Sequence, residues 1–322
     1  MLRRIAVLLV LGASLLLADA TLRYSVDFKT AMPLPGGAAS VMPGFGPSVI
    51  RLKGDKTLYT QGEFTAIDDR AANQTIYVDA AHMRYAAGTI ADFTKAMSSV
   101  TQAAIPSLPA EAQSAMQMFR GDVQTRKTGR RETIQGVRAE ETELVFSLNM
   151  DLPPGIPLPP NFPAGGPLMR LVMQIWQAGA DDVAKTPGLA EFARHNTAAN
   201  GLSDYSSLIR SLPAALPGME QVMGKFLDTL KELLSQPAVT LRTRVEATSP
   251  MLAAAAPLLQ AQGQALPQGL DANAPLFSMT HEIVEVSTAP IDDSVFQIPE
   301  GYRKVEFEEI LKDQFAAAAK AR

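Results

Sequence analysis

Residues 275–302, PLFSMTHEIVEVSTAPIDDSVFQIPEGY, run from a β-rich stretch through a proline–aspartate turn to a compact close, Phe296-Gln297-Ile298-Pro299-Glu300-Gly301-Tyr302. We read this segment as the closing strand and lock of an antiparallel sheet. Phe277, Met279 and Ile283 share one parity, whereas Val284 and Val286 share the other. Strand side chains alternate faces, so a regular strand would turn one set to solvent, and an extra residue is expected near Ile283-Val284. In the lock, Phe296 and Ile298 are expected to point inward. Pro299 ends the ladder because it has no N–H, and Gly301 makes a turn that returns Tyr302 to the sheet edge.

Working outward, the chain carries many short alternating runs. Leu22, Tyr24, Val26 and Phe28 alternate with Arg23, Ser25, Asp27 and Lys29. A meander follows through Val49–Lys53, Thr57–Gln61, Glu63–Asp68, Gln74–Asp79 and Met83–Ala86. Later strands are expected at Asp122–Lys127, Glu132–Met150, Leu168–Gln177 and Val239–Thr248. Short strands joined by polar turns argue antiparallel pairing, since parallel pairs need long crossovers. Leu168–Gln177 is apolar on both faces apart from Arg170 and Gln174, the pattern of a strand covered on both sides.

Helical periodicity appears elsewhere. Ile90, Phe93, Met97 and Val100 fall on one face of Thr89–Ala104, with Thr89 and Asp92 as a capping pair. Short helices are expected at Ser107–Phe119, Pro187–Thr197 and Asp204–Leu212. Gly218–Ser235 carries a broad stripe of Met219, Val222, Met223, Phe226, Leu230, Leu233 and Leu234. A last helix spans Val305–Ala319, with Phe307, Ile310, Leu311 and Phe315 on one side. Asp151–Pro167 is too rich in proline for helix or ladder and reads as an inserted surface loop, dispensable for folding. Met251–Asp271 reads as loose helix and loop.

Hydrophobic residues make up 47% of the 322-residue chain, which places it among globular proteins. Met1–Ala20 reads as a signal peptide: Arg3 and Arg4, an apolar run from Ile5 to Leu17, and a small-x-small site at Ala18-Asp19-Ala20. The alternative is an uncleaved anchor. Cleavage near Ala20 predicts a periplasmic or secreted protein with 27 basic and 32 acidic residues. That balance supplies no basic stripe for nucleic acid. With 0 cysteines, no disulfide or thiolate metal site is available, and the core alone holds the fold.

Several of these segments occur in a familiar order. The signal peptide and meander precede a strand beginning Ile134-Gln135-Gly136. Then come a strand ending in Trp176, a Pro187-x-Leu189-x-x-Phe192 segment, and the Phe296-x-Ile298-Pro299-x-Gly301-Tyr302 close. The chain resembles a family of exported bacterial proteins defined only as a domain of unknown function. That family is similar in layout to the lipoprotein carriers LolA and LolB, whose curved antiparallel sheet wraps helices around an apolar cavity. The 151–167 and 251–271 expansions depart from the pattern, and the resemblance implies no catalytic residues.

The residues themselves offer little chemistry. His281-Glu282 lacks the second histidine of a zinc-protease helix and lies in β-rich sequence. His82, His195 and His281 are expected in turns or on a sheet surface. The acid pairs Asp68-Asp69, Asp181-Asp182 and Asp292-Asp293 fall at expected turns, with calcium as the lesser reading. Asn73-Gln74-Thr75 is a formal sequon that we take as chance. No nucleophile elbow, phosphate loop or dinucleotide fingerprint occurs. The expected architecture is α+β: residues 21–304 form a long twisted antiparallel sheet, partly rolled into a half-barrel, with helices on its concave face, and residues 305–322 a C-terminal helix. The expected function is non-catalytic binding of an apolar or lipid-like ligand, without cofactor, by Met219, Met223, Phe226, Leu230, Met173 and Trp176. The same stripe would also build an ordinary core, leaving a cell-envelope module that binds a protein partner.

Overall fold

The computed structural model of the protein describes residues 19–30, 46–62, 64–104, 119–150, 167–198, 219–234, 238–250 and 275–320. The meander forms β1 (Ala20–Thr30), β2 (Ser48–Lys53), β3 (Lys56–Gln61), β4 (Phe64–Asp69), β5 (Gln74–Asp79) and β6 (Arg84–Gly88), followed by helix α1 (Ile90–Ala104). The long strands β7 (Phe119–Ile134), β8 (Val137–Met150) and β9 (Pro167–Ala178) come next, then α2 (Ala180–Val183), α3 (Pro187–Ala198) and α4 (Met219–Leu234). The chain ends with β10 (Val239–Thr248), β11 (Phe277–Ser287), β12 (Arg303–Val305) and α5 (Phe307–Lys320). The twelve strands of the described residues belong to one open sheet ordered β12-β6-β5-β4-β3-β2-β1-β11-β10-β9-β8-β7. The fold is α+β, with the sheet partly curled and not closed into a barrel.

This order gives the first-quoted stretch a larger part than a closing strand. β11 lies between β1 and β10 and joins the early meander to the long strands in one sheet. The expected bulge is there. Arg23 pairs with Glu285 and Tyr24 with Ile283, so Val284 is the extra residue. Ile283 is fully buried and Val286 packs on the same core, while Val284 itself is 43% exposed. The bulge thus rescues Val286 and sacrifices Val284.

One strand and one helix expectation are corrected. Glu132–Met150 is not one strand, because Gln135 and Gly136, with φ of 50° and 76°, form the turn of the β7–β8 hairpin. Two successive positive φ values suit the right-handed twist of the flanking strands. Phe119 opens β7 instead of ending a helix. The expected elements at 107–118, 151–166, 204–212 and 251–271 lie outside the described residues.

The lock holds, in altered form. Asp293–Phe296 is a 3-10 turn capped by Asp292, whose carboxylate accepts from the Ser294 N–H at 2.8 Å. Phe296 and Ile291 are buried against Leu58, Ile67, Ile76 and Val78, with Ile298 and Tyr302 at the margin. Gly301, at φ +84°, turns the chain so that β12 pairs with the edge strand β6. That pairing is parallel, which makes the sheet mixed. β12 satisfies an edge that would otherwise invite other strands.

Alternate residues of β5 face opposite ways: Ile76 and Val78 meet the lock, whereas Tyr77 packs with α1 and α5. The Thr89–Asp92 capping pair starts α1, with Asp92 Oδ2 accepting from the Thr89 N–H at 2.8 Å. Ile90, expected on the buried face, is 44% exposed, and Ala96 fills that place at 1%. The C-terminal helix α5 belongs to the sheet's own core through Phe307, Ile310 and Leu311. Arg84, buried at the edge, binds Asp79 at 2.7 Å, Glu309 at 3.1 Å and Asp313 at 2.7 Å, tying α5 to β6. On the other side of the sheet's centre, Gly188 of α3 lies against Val286, so closely that a Cβ there would stand 2.6 Å from Val286 Cγ1.

Candidate ligand-binding face

Register places a continuous apolar surface across six strands. Phe28 pairs with Met279, Met279 with Val245, Val245 with Met173, and Met173 with Leu144. The adjacent row runs Thr30, Phe277, Ala247, Leu171, Phe146 and Val123. Directly paired side chains share a face, so these rows form one surface. Its β7–β9 end is covered by α4, whose Phe226, Leu230 and Leu233 are buried against Leu144, Phe146, Leu148 and Ile175. The Phe146 and Phe226 rings stand 5.5 Å apart, a favourable aromatic separation. Phe28, Phe277, Met279, Leu171 and Met173 flank this contact and are half-buried.

The expected site residues do not all meet here. Phe226 and Leu230 of α4 and Met173 of β9 belong to this cluster. Met219 and Met223 lie on α4 one to two turns before Phe226, and their side chains fall outside the described residues. Trp176 is corrected: it belongs to the core with Ala178, Val239, Leu241, Val183 and Leu189. Met173 and Trp176 are three residues apart on a strand, so they face opposite sides. That parity was present in the sequence, and combining both residues in one site ignored it.

One histidine, His195, is buried and another, His281, half-buried, against the surface positions expected for them. His281 lies in the row beyond Phe28–Met279, stacked on Tyr24 with ring centroids 4.5 Å apart. Burial lowers its pKa to about 4. His195, near the end of α3, is 4% exposed, and its Nε2 lies 2.5 Å from Thr57 Oγ1. Its Nδ1 is buried without a hydrogen-bond partner among the described residues. Burial, followed by the Arg70 and Arg194 charges, lowers the pKa of His195 to about 4. Arg70 donates to the His195 carbonyl at 3.0 Å and to Asp55 at 3.1 Å, while Arg194 is held by Glu191. Thr57 faces Asp68, whose carboxyl is raised by burial and accepts from Thr75 at 2.7 Å. This is a buried polar joint between α3 and the meander. Only His82 sits in a turn, on Asp79. Among the described residues no group of three or more metal-ligating side chains converges, and no helix is long and apolar enough to cross a membrane.

Comparison with known proteins adds little to this geometry. No family model matches the chain, and no curated protein matches it. A solved structure of PNGF-II is similar at 9% identity with a TM-score of 0.31, over 95% of this chain. The chain spans 33% of the length of that protein. A likeness of that size bears on neither fold nor function, and it does not extend the resemblance to the lipoprotein carriers.

Proposed function

We propose that this is a non-catalytic exported protein that binds an apolar or lipid-like ligand between α4 and the sheet, in the manner of the LolA and LolB carriers. The observation that supports this reading is the half-buried stretch of Phe28, Phe277, Met279, Leu171 and Met173 beside the α4 contact. Methionine and phenylalanine together make an adaptable apolar lining, able to accept a flexible chain without fixed geometry. Native mass spectrometry of gently purified protein tests it, followed by uptake of a fluorescent fatty-acid analogue by the delipidated form. Copurifying lipid and saturable uptake are expected. An empty protein that takes up none overturns the reading.

A second reading rests on the tight α4 seam itself. Phe226 and Leu230 are each 5% exposed, and Phe146 is fully buried. Helices that fill the sheet in this way leave a cell-envelope module whose outer surface binds a protein partner. Export is part of both readings. Ala20, at the expected cleavage site, is fully buried and pairs with Leu52, and Asp19 Oδ2 accepts from the Ile291 N–H at 2.6 Å. Cleavage after Ala20 therefore removes two residues that close the sheet centre. The N-terminal sequence of the exported protein decides whether it occurs there.

A further inference from the structure

On the face turned away from α4, register aligns Ser25, Glu282, Arg242, Trp176 and Glu141 across β1, β11, β10, β9 and β8. Each is the sequence neighbour of a residue in the Val26, His281, Thr243, Ile175, Thr142 row, so the alternation of strands sends the two rows to opposite faces. The contacts agree. The Arg242 guanidinium lies 5.3 Å from the centroid of the Trp176 ring. Glu282 holds Arg242 at 2.6 Å, and Glu132 binds its other side. Arg130 donates to Glu141 Oε1 at 2.5 Å.

Two atoms of this row are left over. The Glu141 side chain is fully buried, and its Oε2 has no hydrogen-bond partner among the described residues. Trp176 is 6% exposed, and its Nε1 likewise has none. One is an acceptor and the other a donor, and paired residues on adjacent strands place their Cβ atoms about 5 Å apart. A buried carboxylate oxygen and a buried indole N–H each carry a desolvation cost unless something completes them. A single hydroxyl does both, donating to the carboxylate and accepting from the indole. Neither an ammonium nor a carboxylate offers that combination: an ammonium cannot accept, and a carboxylate cannot donate.

We propose that Glu141 and Trp176 form a hydroxyl-binding site, with Arg242 as its cover. The hydroxyl comes from an internal water or from a small polyol. Arg242, held by two carboxylates over the indole face, closes the site to bulk solvent, and Glu132 and Glu282 at its rim can receive further hydroxyls of a polyol.

Trp176 is the single tryptophan, so its indole N–H gives one isolated signal in a proton–nitrogen correlation spectrum of the full chain. A slowly exchanging indole proton is expected. Magnetisation transfer from water that is indifferent to glycerol and glucose identifies an internal water. A saturable shift on adding glycerol or glucose identifies a polyol. Either result sustains the site, and Glu141→Gln, which replaces one carboxyl oxygen by a donating amide nitrogen, should then speed indole exchange or weaken polyol binding about tenfold. If that variant fails to fold, the wild-type spectrum decides alone. An indole proton exchanging at the free rate overturns the proposal. So does a shielded proton in contact with neither water nor polyol, because the carboxylate then bonds the indole directly.

Discussion

Acid should loosen the α3 joint through His195. In the fold its pKa is about 4, against 6.5 for a free imidazole. Whichever tautomer is present, protonation adds an N–H donor at a ring whose Nδ1 has no acceptor among the described residues, beside the Arg70 and Arg194 charges. Between pH 6.5 and 4 the unfolded chain binds a proton that the native protein refuses, so stability falls as pH falls. The contribution is fully present above pH 6.5 and lost by about pH 4. A separation of roughly 2.5 pH units corresponds to about 3 kcal/mol. His281, also lowered to about 4, acts in the same direction, discounted because it is only half-buried. Asp68 opposes both, since a raised carboxyl takes up a proton more readily in the native state. His195→Gln keeps a partner for Thr57 and does not titrate. Urea unfolding from pH 7 to pH 4.5 should therefore show the wild type losing about 2.5 kcal/mol more than the variant. Parallel stability curves for the two proteins would refute the reasoning.

Three further outcomes follow from the packing. Phe226→Ala should cost about 3–5 kcal/mol by chemical denaturation, because the ring fills the seam against Phe146; a loss below about 1 kcal/mol with altered ligand uptake would place Phe226 on an open pocket. Truncation after Pro299 removes β12 and α5, baring the β6 edge and the apolar residues around Tyr77, so light scattering should show aggregation under conditions where the full chain is monodisperse. Deleting Val284 regularises β11 and turns Val286 away from Leu22 and Gly188, which should lower the melting temperature by several degrees; an unchanged melt would mean that the bulge has no structural role.

Some of this molecule was determined by local chemistry and was therefore readable in its sequence. The meander from Ser48 to Gly88 follows from alternation and turn residues, and the α4 stripe follows from its 3.6-residue period. Even the bulge at Val284 was implied, because two apolar parities in one strand have few other solutions. The lock residues Phe296 and Gly301 were identifiable for the same reason. What the chain's own pattern did not determine is which strands become neighbours. That β11 pairs with β1, and that β12 reaches β6 in parallel, depends on packing between segments more than 200 residues apart. The buried joint of His195 with Thr57 arises only when α3 meets β3, and the row of Glu141, Trp176 and Arg242 only when β8, β9 and β10 pair. A single polar residue in a strand or helix has no periodic signature. Its partner, its burial and its ionisation are set by residues distant in sequence, and only the tertiary structure supplies them.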